Sequence, residues 1–268
     1  MAIVYDVGMH EAEDTRFYLK RGHKVIAIDA NKSSLDRAAE RFSSHVRRGS
    51  LILLNCAIYD EDDREIDFYV SRTSEWSSPN RMIADRRGQL SHAVKVRTRT
   101  LASVIKEFGL PVYCKIDIEG CDQICLRTLS GSEALPAYLS VETECLAEGE
   151  KITDAEALAT LDSLVRLGYR EFKLVDQDSL CVLRPGIRFM DIGRPRRLLK
   201  RLNRLKLAGT FGHVFPRGAS GPFGDDLAGT WMGYAEARET LLYHRRAHFT
   251  ISRDAFTFWC DWHARRGA

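Results

Sequence analysis

The chain opens with the sequence A-I-V-Y-D-V-G-M-H (residues 2–10), in which an apolar run leads straight into a glycine turn. We predict a strand over residues 2–5, a turn at Gly8 and a helix over residues 12–21 that Gly22 ends. Glycine has no Cβ to keep a ligand off the backbone, and the free N–H groups of the helix start point to the same place. The stretch is therefore typical of a nucleotide-like cofactor site.

A second predicted strand, residues 24–28, ends on Asp29, where a carboxylate can accept hydrogen bonds from both hydroxyls of a ribose. The G-x-G-x-x-G pattern of dinucleotide sites is missing, and the loop instead carries Glu11, Glu13 and Asp14, which would repel a pyrophosphate. S-adenosylmethionine has an adenosine, no phosphate, and two cationic groups that Asp6 and its neighbours can face. We therefore predict S-adenosylmethionine rather than a dinucleotide. Taken alone, D-V-G is equally consistent with a plain strand-to-helix turn.

Composition narrows the class of protein. The 268 residues, 44% of them hydrophobic, suffice for one large domain or for a domain with an appendage. A net charge of +3 is too small to predict nucleic-acid binding. The sequence has no apolar run of the roughly 18 residues that a membrane span needs, and the first strand leaves no room for a signal peptide, so we expect the cytoplasm. Seven cysteines without a C-x-x-C pair indicate buried thiols rather than a metal centre.

Strand and helix patterns alternate along the chain and predict a doubly wound α/β sheet of Rossmann type. Ser33 or Ser34 is expected to cap the second helix, and the apolar run at residues 51–54 predicts a strand covered on both faces. Two alternating stretches, 65–70 and 93–98, predict a hairpin-like excursion. The remaining expected elements are helices over 101–108, 122–129 and 155–167 and strands over 112–116, 137–141 and 169–175.

Acidic side chains recur where these strands end. Asp6, Asp29, Asp117 and Glu142 each occupy such a position, and Asn55 follows the third strand. The carboxyl ends of parallel strands open onto one edge of a sheet, where ligands bind. Helix capping explains one such acid easily and four poorly. We therefore expect the functional site at this edge.

Several of these motifs together resemble a known family. They are Y-D-V-G-M-H (5–10), I-D-A-N (28–31), N-C-A-I-Y-D (55–60), S-E-W-S-S (74–78), K-I-D-I-E-G (115–120) and S-V-E-T-E (140–144). In order and spacing they resemble the FkbM-type S-adenosylmethionine-dependent methyltransferases over about residues 2–180. The resemblance implies a seven-stranded class I methyltransferase fold and O-methylation of a hydroxyl on a sugar, glycan or secondary metabolite. We accordingly expect a methyltransferase domain over 1–180 and a C-terminal extension over 181–268.

The resemblance also implies roles for individual residues. Asp6 and Gly8 are expected to line the methionine portion of the cofactor, Asp29 to hold the ribose, and Ala30 to lie near the adenine. The full set of expected cofactor contacts is Asp6, Gly8, His10, Asp29, Ala30, Asn55, Cys56 and Ala57. The expected substrate contacts are Trp76, Glu142 and His213.

Methyl transfer to oxygen needs alignment of two reactants and an acceptor for one proton. Asp117 or Glu119 is the expected base, with Asp117 as the first choice, and His10 is a third candidate. A divalent cation held by Asp117 and Glu142 is the alternative, and we favour the metal-free interpretation. Two other functions stay open: N-methylation on the same fold, and a non-catalytic protein that binds a partner through a basic helix. The sequence specifies neither the acceptor nor the oligomeric state.

That basic helix is predicted over Arg194 to Lys206, with seven basic residues, no acid and a stripe of leucines. We expect the leucines to pack on the domain; an acidic-substrate patch or peripheral contact with anionic lipid are the alternatives. The glycine-rich segment 209–229, which contains His213, is either a substrate lid or an ordered loop. A further helix is expected over 231–248, and the aromatic segment 256–259 is expected to pack onto the core.

Overall fold

A computed structural model describes residues 1–132, 134–143, 146–147, 150–185, 193–251 and 258–267. The chain forms two compact units, Met1–Ala137 and Tyr138–Ala268. None of the helices described in these ranges is long and apolar enough to cross a membrane. The expected boundary at residue 180 stays a prediction.

Unit 1 contains a parallel sheet with the strand order β7-β1-β2-β3. Its strands are β1 (Ile3–Val7), β2 (Lys24–Asp29), β3 (Leu51–Asn55), β4 (Ala57–Ile58), β5 (Glu65–Ser71), β6 (Ser91–Arg99) and β7 (Tyr113–Ile116). Its helices are α1 (Glu13–Lys20), α2 (Lys32–Arg41), α3 (Ser43–Arg47), α4 (Arg81–Ala84), α5 (Leu101–Phe108) and α6 (Asp122–Thr128). The central strand β1 is buried along nearly its whole length, which agrees with its apolar sequence.

The predicted excursion is present as a small separate sheet. Strands β5 and β6 pair antiparallel, and β4 adds to β6 in parallel, giving the order β4-β6-β5. Ala57, Phe68 and Val96 form its apolar core, against which Ala30 packs. The prediction of two alternating strands is therefore confirmed, because each has one face on this core and one towards solvent.

Two local expectations in unit 1 are wrong. Helix α2 begins two or three residues earlier than expected, because Asn31 caps it instead of Ser33 or Ser34: the Asn31 side chain accepts from the Ser33 backbone N–H at 3.1 Å. Strand β3 was expected to be covered on both faces, yet only Leu51 is fully buried. Within unit 1, β3 pairs with β2 on one side only, and its apolar run reflects partial rather than complete burial.

Unit 2 contains an antiparallel sheet with the order β12-β11-β13-β8. Its strands are β8 (Tyr138–Glu142), β9 (Leu146–Ala147), β10 (Glu150–Lys151), β11 (Glu171–Asp176), β12 (Cys181–Leu183) and β13 (Cys260–Arg265). Its helices are α7 (Asp154–Leu167), α8 (Gly193–Phe211) and α9 (Tyr234–Ile251). The two strand orders given for units 1 and 2 contain eight strands among the described residues, one more than the seven expected, because β12 folds back on β11.

The C-terminal residues of unit 2 differ from expectation in two places. Helix α8 continues to Phe211, so the glycine-rich loop begins after it rather than at residue 209. Strand β13 was not predicted; it lies between β11 and β8 and pairs with both. Of the aromatic segment, Phe258 is buried as expected, whereas residues 256–257 lie outside the described ranges.

Candidate active site

A buried lysine lies at the centre of the carboxylates in unit 1. Strands β1 and β7 are paired so that Asp6 is opposite Lys115. The Lys115 ammonium lies 3.3 Å from Asp6, 3.8 Å from Asp14 and 3.5 Å from Asp117, and it donates to the Gly8 carbonyl at 3.0 Å. Burial opposes the charge of Lys115, but Asp6, Asp117 and Asp14 together raise its pKa well above its ordinary value. Lys115 therefore remains a cation that holds the ends of β1 and β7 together.

Asp6 is the most enclosed of the predicted site residues. Its side chain has no exposed surface, and it accepts a hydrogen bond of 2.6 Å from the Thr15 hydroxyl while it pairs with Lys115. Asp6 was expected at the open end of β1, but it lies inside that strand. In this arrangement its charge is directed to Lys115 and α1, and its role as a cofactor contact stays a prediction.

Gly8 is required by a close approach within the protein. It adopts φ +79°, and a Cβ at this position would lie 1.8 Å from the carbonyl oxygen of Asp117. Its backbone N–H donates to the Ile28 carbonyl at 2.9 Å. Only glycine therefore allows the loop after β1 to lie against the ends of both β2 and β7.

Asp29 is held in a fixed orientation at the end of β2. Its Oδ1 accepts from the Asn31 backbone N–H at 2.7 Å, and its Oδ2 accepts from the His10 backbone N–H at 2.9 Å. Burial outweighs these hydrogen bonds and raises the pKa of Asp29 to about 6. A carboxylate offers about four acceptor positions, so two remain for a diol.

The loop carboxylates were expected to face a cationic ligand, and two of them pair with the chain's own cations instead. Glu11 pairs with the Arg37 guanidinium, and this hydrogen bond lowers the pKa of Glu11. Asp14 is buried beside Lys115. His10 adopts φ +48° and contributes its backbone N–H to Asp29, while its imidazole lies 4.0 Å from Glu13. His10 is therefore placed beside Asp29 through its backbone, and its role as a base stays a prediction.

The residues expected near the adenine lie together beside Asp29. The Asn55 amide donates to the carbonyls of Asp29 and Ala30, both at 3.1 Å. Cys56 and Ala57 are buried, and burial raises the pKa of the Cys56 thiol to about 12. These contacts tie the end of β3 to the end of β2. They also agree with the expectation that the described cysteines are buried free thiols, with Cys181 partly exposed and Cys145 outside the described residues.

Asp117 and Glu119 follow β7 but do not continue it. The strand ends at Ile116, and Glu119 adopts φ +38°, so the two side chains are not set on one face as residues two apart in an extended strand would be. Burial, together with the neighbouring Asp117 charge, raises the pKa of Glu119 to about 8, although Arg86 opposes the shift. Glu119 is therefore a carboxyl group that titrates near neutral pH.

The segment that connects β5 to β6 contacts Glu119 directly. The Ser78 hydroxyl donates to the Glu119 carbonyl at 2.8 Å, and the Arg86 guanidinium lies 3.1 Å from the Glu119 carboxylate. Trp76 is partly exposed in a short 3-10 helix, Ser74–Trp76, of the same excursion. The S-E-W-S-S motif thus contributes Ser78 to the surroundings of Glu119, while the substrate role of Trp76 stays a prediction.

The other two predicted substrate contacts belong to unit 2. Glu142 is the last residue of β8 and is partly buried opposite Asp261 of β13. His213 follows α8 and is 6% exposed, with its ring 4.8 Å from that of Phe215. Their roles towards a substrate stay predictions.

The segment that contains this site was compared with known protein families. Residues 6–170 match the profile of the methyltransferase FkbM domain, which is more than half of the chain. The chain belongs to the FkbM methyltransferase family. With this membership, the prediction of S-adenosylmethionine as the cofactor and of an α/β class I methyltransferase fold is confirmed. No curated protein matches the chain in sequence.

Solved structures similar to this FkbM family member share little sequence with it. A methyltransferase FkbM from Methylobacillus flagellatus is 16% identical, with a TM-score of 0.39 over 63% of this chain and 38% of that one. The chain thus spans well under half the length of that protein. A SAM-dependent methyltransferase from Thiobacillus denitrificans, solved with S-adenosyl-L-homocysteine, is 12% identical, with a TM-score of 0.36 over 98% of this chain and 83% of that one. The [4+2]-cyclase SpnF is 10% identical, with a TM-score of 0.39 over 100% of this chain and 76% of that one.

Two residues of the site had not been singled out from the sequence. Lys115 appeared in the sequence only as the first residue of K-I-D-I-E-G. The available signal was a lysine inside an otherwise apolar strand, because a buried lysine is almost always paired with an acid. Arg86 belongs to a polar loop with several arginines, and no local pattern distinguishes the one that contacts Glu119.

Proposed function

We propose that this FkbM family member transfers the methyl group of S-adenosylmethionine to a hydroxyl oxygen of a small molecule or glycan. The observation that carries the proposal is the pair of carboxylates after β7: the Asp117 backbone lies against Gly8, and burial with the Asp117 charge raises the pKa of Glu119 to about 8. Such a pair provides a hydrogen-bond acceptor and a proton acceptor next to the loop expected to hold the cofactor.

On the cofactor side, the arrangement around Asp29 fits a nucleoside. Both oxygens of Asp29 are oriented by backbone N–H groups, and each retains acceptor capacity. A ribose offers two adjacent hydroxyl donors at the matching spacing of a carboxylate. Asn55 fixes the backbone carbonyls of Asp29 and Ala30, so the adjacent surface is also preorganised. Asp29 would therefore hold the ribose, with Ala30 and residues 55–57 beside the adenine.

On the acceptor side, the protein has to align a hydroxyl and remove its proton. S-adenosylmethionine supplies a methyl group already activated by the sulfonium. The acceptor oxygen forms the new bond to carbon as the sulfur–carbon bond breaks, and the hydroxyl proton passes to a carboxylate. Alignment contributes up to about 7–11 kcal/mol to lowering the barrier, and a positioned base about 10²–10⁴-fold in rate.

Of the two carboxylates, Glu119 is the better base. A pKa of about 8 gives it a higher proton affinity than an ordinary carboxylate, and a base is most effective when its pKa lies near the working pH. Each carboxylate has a cationic partner, Lys115 for Asp117 and Arg86 for Glu119, but the pKa of Glu119 is raised in spite of Arg86. Asp117 would therefore orient the acceptor hydroxyl. This order reverses the first choice made from sequence, where Asp117 was placed ahead of Glu119.

Methyl-labelled S-adenosylmethionine, incubated with panels of hydroxylated and amine-containing acceptors, tests the proposal. We expect a product whose label is on oxygen, established by mass spectrometry and NMR. Glu119→Gln should reduce turnover by about 10²–10⁴-fold with little change in cofactor affinity. Label on nitrogen would support the N-methyltransferase alternative. Normal turnover in Glu119→Gln together with loss in Asp117→Asn would return the base to Asp117.

A further inference from the structure

Helix α8 of unit 2 exposes three of its leucines. Leu198, Leu202 and Leu205 are 59%, 51% and 58% exposed, and their spacing of four and three residues places them along one stripe. Val214, just beyond the helix, is 78% exposed. The sequence predicted that the leucine stripe packs on the domain, and for these three leucines that expectation is wrong.

The opposite side of α8 explains why the leucines are left outside. Lys200 lies 3.2 Å from Asp176 and 2.8 Å from Asp178, and the Asn203 amide donates to the Ser179 carbonyl at 2.9 Å. The helix is therefore anchored to the β11–β12 turn through polar side chains.

Arg204 adds the strongest part of that anchor. Its guanidinium donates to the backbone carbonyls of Gln177, Asp178, Phe215 and Pro216 at 2.6–2.8 Å. These bonds also fix the start of the glycine-rich loop, which favours the ordered-loop interpretation over a lid. With Lys200 and Arg204 used inside the protein, the polar face of the helix is occupied and the apolar face is exposed.

The positive charge of α8 limits which kind of partner can bind the exposed leucines. Residues 193–211 carry seven basic side chains and no acidic one, and Arg201 and Lys206 are exposed next to the leucines. A second copy of the chain would bring the same cations against each other, which is repulsive. An anionic surface with an apolar interior satisfies both features, because the cations meet head groups while the leucines enter the acyl boundary.

We propose that the outer face of α8, formed by Leu198, Arg201, Leu202, Leu205 and Lys206, binds the surface of membranes that contain anionic lipid. The helix lies in the interface, with its leucines inserted and its cations at the level of the head groups. Binding would place the protein at a membrane without a membrane-spanning segment, and it is independent of the proposed methyl transfer.

Vesicle flotation tests this interaction. The full chain is mixed with vesicles of phosphatidylcholine alone or with about one third phosphatidylglycerol. We expect flotation only with the anionic vesicles, and its loss in 1 M salt, where the Debye length falls to about 3 Å. Replacing both exposed cations (Arg201→Gln with Lys206→Gln) should weaken binding by about thirtyfold, at roughly fivefold for each cation.

Leu202→Ser with Leu205→Ser tests the apolar contribution. Both side chains are exposed, so the melting temperature should stay unchanged while vesicle binding falls by at least about tenfold. Matched controls are Leu90→Ser for the leucines and Arg47→Gln with Arg48→Gln for the cations, since these are exposed in unit 1. The controls should bind as the unchanged chain does.

Three results would overturn the proposal. They are absence of flotation with either vesicle, equal flotation with both, and variants of α8 that bind as well as the controls. Sedimentation velocity distinguishes the competing occupant: a dimer that the leucine variants abolish, without vesicle binding, would assign the stripe to a second copy of the chain.

Discussion

The pKa of Asp29 leads to a specific expectation about cofactor binding. Hydroxyl groups of a ribose donate to the ionised carboxylate, so protonation of Asp29 should oppose binding. With a pKa of about 6, Asp29 is almost fully ionised at pH 8 and about one tenth ionised at pH 5. If only the ionised form binds, the affinity for S-adenosylhomocysteine should fall about tenfold over this range.

Isothermal titration calorimetry at both pH values measures this change directly. Asp29→Asn keeps the size of the side chain but removes the charge. It should weaken binding by about 10- to 100-fold, as expected for loss of hydrogen bonds to a charged group, and should abolish the difference between pH 8 and pH 5.

Histidine side chains in general change charge between pH 5 and pH 8, so the neighbouring His10 requires its own control. His10→Asn removes the imidazole, tolerates the left-handed backbone conformation and keeps the N–H that Asp29 accepts. The pH dependence should persist in His10→Asn. Its persistence in Asp29→Asn, or its loss in His10→Asn, would refute the assignment of the ribose to Asp29.

Three further outcomes are expected. Lys115→Met should lower the free energy of unfolding by about 3–5 kcal/mol in urea denaturation, because it leaves buried carboxylates without their cation. Lys32→Met removes a cation from an exposed ion pair and should change the free energy of unfolding by less than about 1 kcal/mol. Gly8→Ala should destabilise the protein more than Gly22→Ala in thermal melts: both glycines have φ +79°, but only at Gly8 does a Cβ meet the carbonyl of Asp117. Methyl transfer, once an acceptor is known, should survive a chelator; loss of activity that magnesium restores would instead make the β7 carboxylates metal ligands.

Much of the fold follows from local sequence patterns. The bounds of α5 were predicted to the residue, and strands β1, β2, β5 and β6 and helix α7 within two residues at most positions, because apolar periodicity and glycine stops are local signals. Strand β13 was not predicted, although its sequence, C-D-W-H-A-R, alternates apolar and polar residues as a strand does. Its position between β8 and β11 could not be predicted from local signals, because its paired residues lie 84 to 127 positions earlier in the chain.

The site was predictable in its residues more than in its chemistry. Asp29 and Glu119 could be located by strand ends and motif spacing, but their raised pKa values depend on burial, which the sequence does not report. The role of Lys115 required the register of β1 against β7. The outward leucines of α8 likewise depend on which face Lys200 and Arg204 use, and periodicity alone cannot distinguish an inward stripe from an outward one.

A crystal structure of the protein with S-adenosylhomocysteine tests the central claim most directly. We predict both ribose hydroxyls within hydrogen-bond distance of the Asp29 carboxylate, the adenine beside Ala30 and residues 55–57, and the sulfur directed towards Asp117 and Glu119. Density for the ligand elsewhere, or a ribose that Asp29 does not contact, would contradict the account.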